Sequence, residues 1–414
     1  MGEQRSILLL GYRQELVEVC QRLGIEVTTL IDPWEPIENL PPLKENEDRI
    51  FVENLSKDET ILCSLARARK LKFDAVCTYD EYFVVNAALL SQALSTPYMD
   101  SKIAVAFRDK YYQKSLLRGI VPVTDSWIID DVKDYKISED HPYPVVVKPV
   151  TGAGTADTQV AHNAKELQEF IDHLGNRHKN HNDPESPRSL VIERFVSGEE
   201  WHVDGWISDG EIQLFTVSKY AFPLIGIKDG GIVQSITLHP NTNKELYKKI
   251  SLFITKSLHA LGLSNGVFHL EMFYCSKNDE FIFSECGARV GGGLIYSAFK
   301  SMFNIDLYEV LIKLSLGEKV TVPRLEANHC TGWVYLPSVS PDLKSLPDRS
   351  VLMNLPGVDH VEYSWNPGQA VPDTKVDTTQ RTGMVLVLGE SYQEVDTRIK
   401  NVLKVFKSYT NVNV

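Results

Sequence analysis

Two apolar runs, GVFHLEMFY (266–274) and FIFSE (281–285), flank a short polar stretch, Ser276-Lys277-Asn278-Asp279-Glu280. Strand-length runs this close together predict an antiparallel hairpin. Folded about Asn278, the hairpin sets Glu271 opposite Glu285, and paired side chains in such a ladder have Cβ atoms about 5 Å apart. Carboxylates that close repel unless a cation lies between them. Hard oxygen ligands suit Mg2+ carrying substrate phosphates. Two solvent-facing glutamates are the alternative, ranked second because Phe268, Leu270, Met272 and Phe283 give the hairpin a buried side. A register slip of one residue would break the pair. His269 shares the face of Glu271; it either orients a substrate or is a satisfied structural histidine.

After Glu285 comes Cys286-Gly287-Ala288-Arg289-Val290-Gly291-Gly292-Gly293. An arginine beside a triple glycine and a metal pair is placed to hold a carboxylate or a transferring phosphoryl group; an ordinary surface arginine is the alternative. A second element, YPVVVKPVTGAGTAD (143–157), delivers Lys148 from a buried strand, Val145 to Val147, just ahead of Gly152-Ala153-Gly154-Thr155. Loop N–H groups can close on phosphate oxygens while the lysine neutralises charge. The glycines are weak evidence. The lysine is stronger, because an ammonium among buried residues is costly without an anionic partner. A third element, VIERFVSGEEWHVD (191–204), reads as strand–turn–strand.

The first hundred residues alternate in another way. Ser6 to Gly11 is a buried strand, Leu16, Val19, Cys20 and Leu23 repeat at helical spacing up to Gly24, and Glu26 to Ile31 is a second strand. Phe73 to Tyr79 is another strand, followed by a helix through Ala87, Leu90 and Leu94. That order implies βαβ units and a parallel sheet, with ligands beyond the carboxyl ends of its strands. Asp80 and Glu81 stand there, and helix capping is the favoured role for both. Gly175 to Ser189 (GNRHKNHNDPESPRS) reads as a polar surface loop, with His178 and His181 solvated rather than metal-binding. Beyond Asn328, the pattern predicts strands at Gly332 to Leu336 and Gly383 to Leu388 and a helix from Glu394.

Composition narrows the partners. The 414 residues carry 43 Lys plus Arg against 55 Asp plus Glu, a formal charge of −12. Without a polybasic run, a nucleic-acid backbone is not an expected partner. No apolar run approaches the ~20 residues of a membrane span. The opening MGEQRSILLLG lacks the form of a signal peptide, and its match to a myristoylation pattern at Gly2 and Ser6 is taken as chance. Six scattered cysteines without CxxC fit reduced core thiols in a cytoplasmic protein. There is no GxxxxGK[ST] loop, dinucleotide fingerprint, GxSxG or HExxH.

Together these elements resemble the ATP-grasp superfamily, and within it the carboxylate–amine ligases. The match runs through Arg108-Asp109-Lys110 before a helix, VVVKP with its glycine loop, IERFVSGEE and the two metal glutamates. ECGARVGGG resembles the branch of L-amino acid ligases and carnosine synthase-like enzymes. The resemblance implies a multidomain α/β and α+β chain: a Rossmann-like pre-ATP-grasp domain (1–100), an ATP-grasp domain (101–327) and a small C-terminal substrate or lid domain (328–414). It implies that Lys110 and Lys148 contact ATP phosphates and that Gly152 to Thr155, including Gly154, is the mobile phosphate loop. Glu193, with the backbone of Phe195 and Val196, would take the adenine, and Glu200 the ribose. Glu271 and Glu285 would hold Mg2+, with Mn2+ as a substitute, and Arg289 would meet the acyl phosphate or substrate carboxylate near His269 and Gly292. Many members carry Asn where Gly287 stands, so the metal shell would lose a ligand to water.

The implied reaction is ADP-forming ligation of an amino-acid carboxylate to an amine through an acyl phosphate. A carrier-protein thiol as acceptor and a non-catalytic nucleotide-binding regulator on the same fold are the alternatives. With no AMKM-type segment, a self-contained biotin carboxylase is disfavoured. Trp201, His202, Lys219, Tyr220, His239, His269 and Trp333 are unranked candidates for substrate specificity, and a homodimer is the base-rate expectation.

Overall fold

The computed structural model describes residues 4–33, 40–55, 72–133, 135, 137, 141–181, 188–229, 231–322, 326–340, 343–370 and 381–410. Cys63 and the residues 182–187 of the expected surface loop lie outside them.

Strands β1 (Ser6–Leu10), β2 (Glu26–Ile31), β3 (Glu47–Phe51) and β4 (Ala75–Thr78) form a parallel sheet in the order β3-β2-β1-β4. Ile7 to Leu10 are fully buried, as an unbroken apolar strand requires when both sheet faces are covered. Helices α1 (Gln14–Arg22) and α2 (Val84–Leu94) fall where the apolar periodicity puts them. β3, which opens on three charged residues, Glu47 to Arg49, and lies partly exposed at the sheet edge, has no such signal.

Two short helices follow, α3 (Ser101–Arg108) and α4 (Lys110–Leu117), each capped by an aspartate, Asp100 and Asp109. Strands β5 (Ser126–Ile129), β6 (Val145–Pro149), β7 (Gln159–Ala161) and β8 (Leu190–Arg194) build an antiparallel sheet in the order β5-β8-β6-β7. Helix α5 runs through Ala164–His181. Gly175 to His181, expected as loop, therefore continues this helix: Leu167, Ile171 and Leu174 bury one stripe, and a single glycine costs only about 1 kcal/mol against that packing.

The largest sheet has eight strands in the order β13-β12-β9-β10-β11-β14-β16-β15. They are β9 (Glu199–Ser208), β10 (Glu211–Tyr220), β11 (Gln234–Thr237), β12 (Gly266–Cys275), β13 (Glu280–Gly287), β14 (Cys330–Leu336), β15 (Val358–Tyr363) and β16 (Gly383–Gly389). Helices α6 (Lys244–Ala260), α7 (Ile295–Phe303), α8 (Leu307–Ser315), α9 (Arg349–Met353) and α10 (Tyr392–Thr410) complete the described elements. The β11–β14 ladder makes residues beyond 328 part of the same sheet as the β12/β13 hairpin. Among the described residues no helix is long and apolar enough to cross a membrane.

Candidate active site

The hairpin β12/β13 pairs Glu271 with Glu285, as expected, but through a detour. Near the turn Cys275 faces Glu280 and Met272 faces Phe283, a register that would set Glu271 against Ser284. A bulge intervenes between Met272 and Glu271, leaving Ser284 as the extra residue and restoring the Glu271–Glu285 pair. Burial alternation changes phase at the same point: Phe281 and Phe283 are buried on one face, and Glu285 lies on the other with Glu271 and Phe273. A bulge that re-aims a side chain is a recurrent device beside functional sites.

These carboxylates line a cavity of about 610 Å3 whose wall also includes Lys110, Lys148, Gly152 to Ala156, Glu193 to Gly198, Glu200, Tyr220, His269 and Arg289 to Gly293. Its size suits a nucleotide-sized ligand. Lys148 Nζ lies 3.3 Å from Glu193 Oε1 and 3.7 Å from Glu285 Oε2, and Lys110 Nζ lies 3.4 Å from the same Glu285 oxygen. Burial would discharge Lys148, yet the Glu193 and Glu285 carboxylates outweigh it and hold the ammonium. Burial likewise opposes the charge on Glu285, but Lys110, Lys148 and Lys114 pull its pKa down. Lys110 also donates to the carbonyl of Gly152 at 2.5 Å, tying the glycine loop to the start of α4.

Glu200 shows the opposite balance. Burial first, and the Glu271 carboxylate second, push it up to about 8, although the backbone N–H of Leu224 donates to it at 2.8 Å. The paired carboxylates of Glu271 and Glu285, beside a third so raised, make an acidic wall whose repulsion a divalent cation on the pair would relieve. For a polyphosphate the fit is in the loop. Gly154 and Thr155 both adopt left-handed conformations, with φ of 62° and 62°, and successive turns of this kind aim N–H groups at an anion. The hydroxyl oxygens of Thr155 and Thr124, both in cavity-lining residues, are buried without a hydrogen-bond partner among the described residues.

Some expected residues sit differently. Glu193 is 5% exposed and its carboxylate is engaged by Lys114 and Lys148 rather than turned free into the cavity. Phe195 and Val196 line the cavity in the connection from β8 to β9. Gly292 also lines it, with open space where a Cβ would be. Of the specificity candidates, Tyr220, His269 and Trp333 reach the cavity. Trp201 packs on Tyr274 and Phe281 behind it, and Lys219 pairs with Glu199 over the Trp201 ring. His202 is buried, and His239 caps its own turn through Asn241.

Asp80 caps the short turn Glu81–Phe83, as expected. Glu81 does not. It accepts from Arg108 Nη1 at 2.9 Å and from Arg289 Nε at 2.5 Å, and these arginines hold its carboxyl low against burial. A Cβ on Gly287 would meet Glu81 Oε2 at 2.6 Å. Glu81, in the turn after β4, therefore takes the space that a side chain at position 287 would enter.

Sequence reasoning missed further residues. Asp204 bridges two histidines, Oδ2 to His202 Nδ1 at 2.6 Å and Oδ1 to His269 Nδ1 at 2.7 Å. His202 Nε2 meets Ser235 Oγ at 2.6 Å, and His269 Nε2 lies 3.4 Å from Glu271. A buried histidine would ordinarily lose its proton, but Asp204 reverses that and raises His269 to about 10. The three side chains are also close enough to share a metal; their mutual hydrogen bonds already use the facing atoms. Gly291 permits this packing, since a Cβ there would lie 2.6 Å from Asp204 Oδ1. No spacing rule links residues 65 apart on neighbouring strands β9 and β12. Arg13, Tyr79, Tyr308, Tyr335, Glu362 and Arg381 form the end of the cavity toward the parallel sheet and β14–β16.

The chain is similar to known proteins over most of its length. Residues 141–297 match the model of the ATP-grasp domain. An L-arginine-specific L-amino acid ligase of Bacillus subtilis is 27% identical over 338 residues, covering 79% of this chain and 78% of the relative. Dapdiamide A synthase of Enterobacter agglomerans is 22% identical over 351 residues, 81% of this chain and 79% of the relative. Among solved structures, an L-amino acid ligase from Bacillus licheniformis superposes with a TM-score of 0.77 at 18% identity, covering 97% of this chain and 98% of that one.

Proposed function

We propose, from the premise that this chain is an ATP-grasp carboxylate–amine ligase, that it activates an amino-acid carboxylate as an acyl phosphate and joins it to an amine, releasing ADP and phosphate. The observation that carries the reading is the pairing of Glu271 with Glu285 on a cavity wall that also presents Lys110, Lys148 and Arg289. Similarity to an enzyme named as an L-arginine-specific L-amino acid ligase supports the choice of substrate class.

In this reading the glycine loop and Lys110 and Lys148 hold the phosphates, and Phe195 and Val196 with the Glu193 backbone take the base. Glu200 faces the ribose. Glu271 and Glu285 would hold Mg2+, which when bound neutralises charge on the β- and γ-phosphates. A carboxylate oxygen attacks the γ-phosphorus and the bond to the β-phosphate oxygen breaks, so ADP leaves. Lys110, Lys148 and Arg289 spread the charge that develops on the transferring group. The amine nitrogen then attacks the acyl carbon, the carbon–oxygen bond to phosphate breaks, and the amine gives up a proton. Closure of Gly152 to Thr155 keeps water from the acyl phosphate.

The test is phosphate release from Mg-ATP across a matrix of amino acids, offered singly and in pairs. Turnover that requires one pair and yields ADP identifies the ligase and its substrates. AMP formation overturns the acyl-phosphate route. Nucleotide binding with no turnover anywhere in the matrix overturns the free-amine acceptor and leaves a carrier-protein thiol or a regulatory role.

A further inference from the structure

The bulge that re-aims Glu285 has a holder. β13 is an edge strand, so one row of its N–H and C=O groups faces away from β12, and a bulge leaves such groups out of the ladder. At Phe283 the row is met by the 122–123 segment, the Phe283 N–H donating to the Pro122 carbonyl at 2.9 Å; from Ser284 to Cys286 helix α4 covers it. The Cys286 N–H donates to Gln113 Oε1 at 3.0 Å, and Gln113 Nε2 donates to the Cys286 carbonyl at 2.7 Å. Lys114 Nζ donates to the carbonyl of Ser284, the bulged residue, at 2.6 Å. One turn earlier, Lys110 Nζ reaches Glu285 itself at 3.4 Å.

Lys110, Gln113 and Lys114 stand at i, i+3 and i+4 and so share one helix face. All three meet residues 284–286. Gln113 is 1% exposed and Lys114 fully buried. A primary amide offers one donor and one acceptor side by side, as a neighbouring strand would. Its two bonds to Cys286 satisfy buried backbone groups that would otherwise be unpaired. The uninterrupted register would instead place Ser284 opposite Glu271 and turn Glu285 toward the face of Leu270 and Phe283.

We propose that Gln113, assisted by Lys114, is a positioning residue: its amide fixes the backbone of Cys286, Lys114 holds the Ser284 carbonyl, and the bulge so held sets Glu285 against Glu271, the pair that would hold a divalent cation. The proposal rests on reading the glutamate pair as the cation site. Supporting groups around metal ligands commonly change metal affinity about 10–100-fold when removed, and Gln113 acts at one further remove, through the backbone that carries the ligand.

The test uses the full chain and Mn2+ with ADP, reading free Mn2+ by electron paramagnetic resonance. Nucleotide affinity without metal is measured separately by displacement of a fluorescent ATP analogue in a chelator, and folding by the melting transition. Gln113→Met, which keeps length and burial but removes both hydrogen bonds, is expected to weaken Mn2+ binding about tenfold or more with metal-free nucleotide affinity unchanged. Deletion of Ser284, which closes the ladder without a bulge and leaves Glu285 opposite Glu271 in the uninterrupted register, is expected to retain Mn2+ binding. Unchanged Mn2+ affinity in folded Gln113→Met overturns the proposal. If that variant does not fold, loss of Mn2+ affinity in a folded Ser284 deletion overturns it. Glu285→Gln separates the two ideas: if it binds Mn2+ as tightly as the parent, the cation-site reading fails and the proposal with it. If Glu285→Gln loses Mn2+ while Gln113→Met does not, only the positioning role falls.

Discussion

Replacing Gly287 by alanine tests the match between that glycine and Glu81. An added Cβ would lie 2.6 Å from Glu81 Oε2, whereas a carbon–oxygen contact settles at about 3.3–3.6 Å, so the carboxylate must retreat by about 0.7–1 Å. That oxygen accepts from Arg289 Nε at 2.5 Å, and its partner oxygen accepts from Arg108 at 2.9 Å. The retreat therefore breaks at least one charge-assisted bond, worth about 1.5–3 kcal/mol, and frees Arg289 to turn away from the cavity. Expressed as kcat/KM for the carboxylate substrate, the loss is about 10–150-fold. Glu81→Ala alone should cost at least as much. In the double variant the methyl has nothing left to strike, so Gly287→Ala added to Glu81→Ala should cost little more. A double-mutant cycle on kcat/KM, with metal-free nucleotide affinity as the control, measures this coupling. Multiplicative losses, or normal activity in Gly287→Ala, would refute the argument, because the methyl would then not act through Glu81.

Further outcomes concern the nucleotide and the histidine pair. Lys148→Ala removes an ammonium held by Glu193 and Glu285 and should weaken ATP binding about 10–100-fold; calorimetric titration showing unchanged affinity would remove Lys148 from the phosphate site. Asp204→Asn strips the bridge between two buried histidines, and breaking such a pair costs about 3–5 kcal/mol. Its pH dependence follows from His269, whose folded value near 10 lies above the ordinary 6.5. A raised histidine contributes stability that is complete below about 6.5 and lost as pH rises through about 10. The melting transition of Asp204→Asn should accordingly fall furthest below the parent at pH 6 and draw closer to it near pH 10; an equal gap at both ends would contradict the charged-histidine assignment.

Much of the site is written in short segments, because some of its chemistry is local. The strand that carries Lys148, the glycine loop behind it and the turn between β12 and β13 each depend on residues within about ten positions. Their side-chain types and turn signals survive folding unchanged. The opening parallel sheet is legible for the same reason, its strands being unbroken apolar runs such as Ile7 to Leu10. Even the Glu271–Glu285 pair was readable, although the bulge at Ser284 that produces it was not.

What only the tertiary structure decided are the contacts made across long stretches of chain. Glu81 meets Arg289 across 208 positions, Gln113 meets Cys286 across 173, and Asp204 meets His269 across 65. Each looks unremarkable in its own segment: a capping glutamate, a polar helix position, an aspartate in a strand. Their roles arise because packing removes them from water, where an unpaired charge or amide is costly, so each must take whatever partner the fold brings within about 3 Å. Local propensity determines which segments become the strands, loop and hairpin of this protein. Burial against distant elements determines which polar side chains are bound together around its cavity.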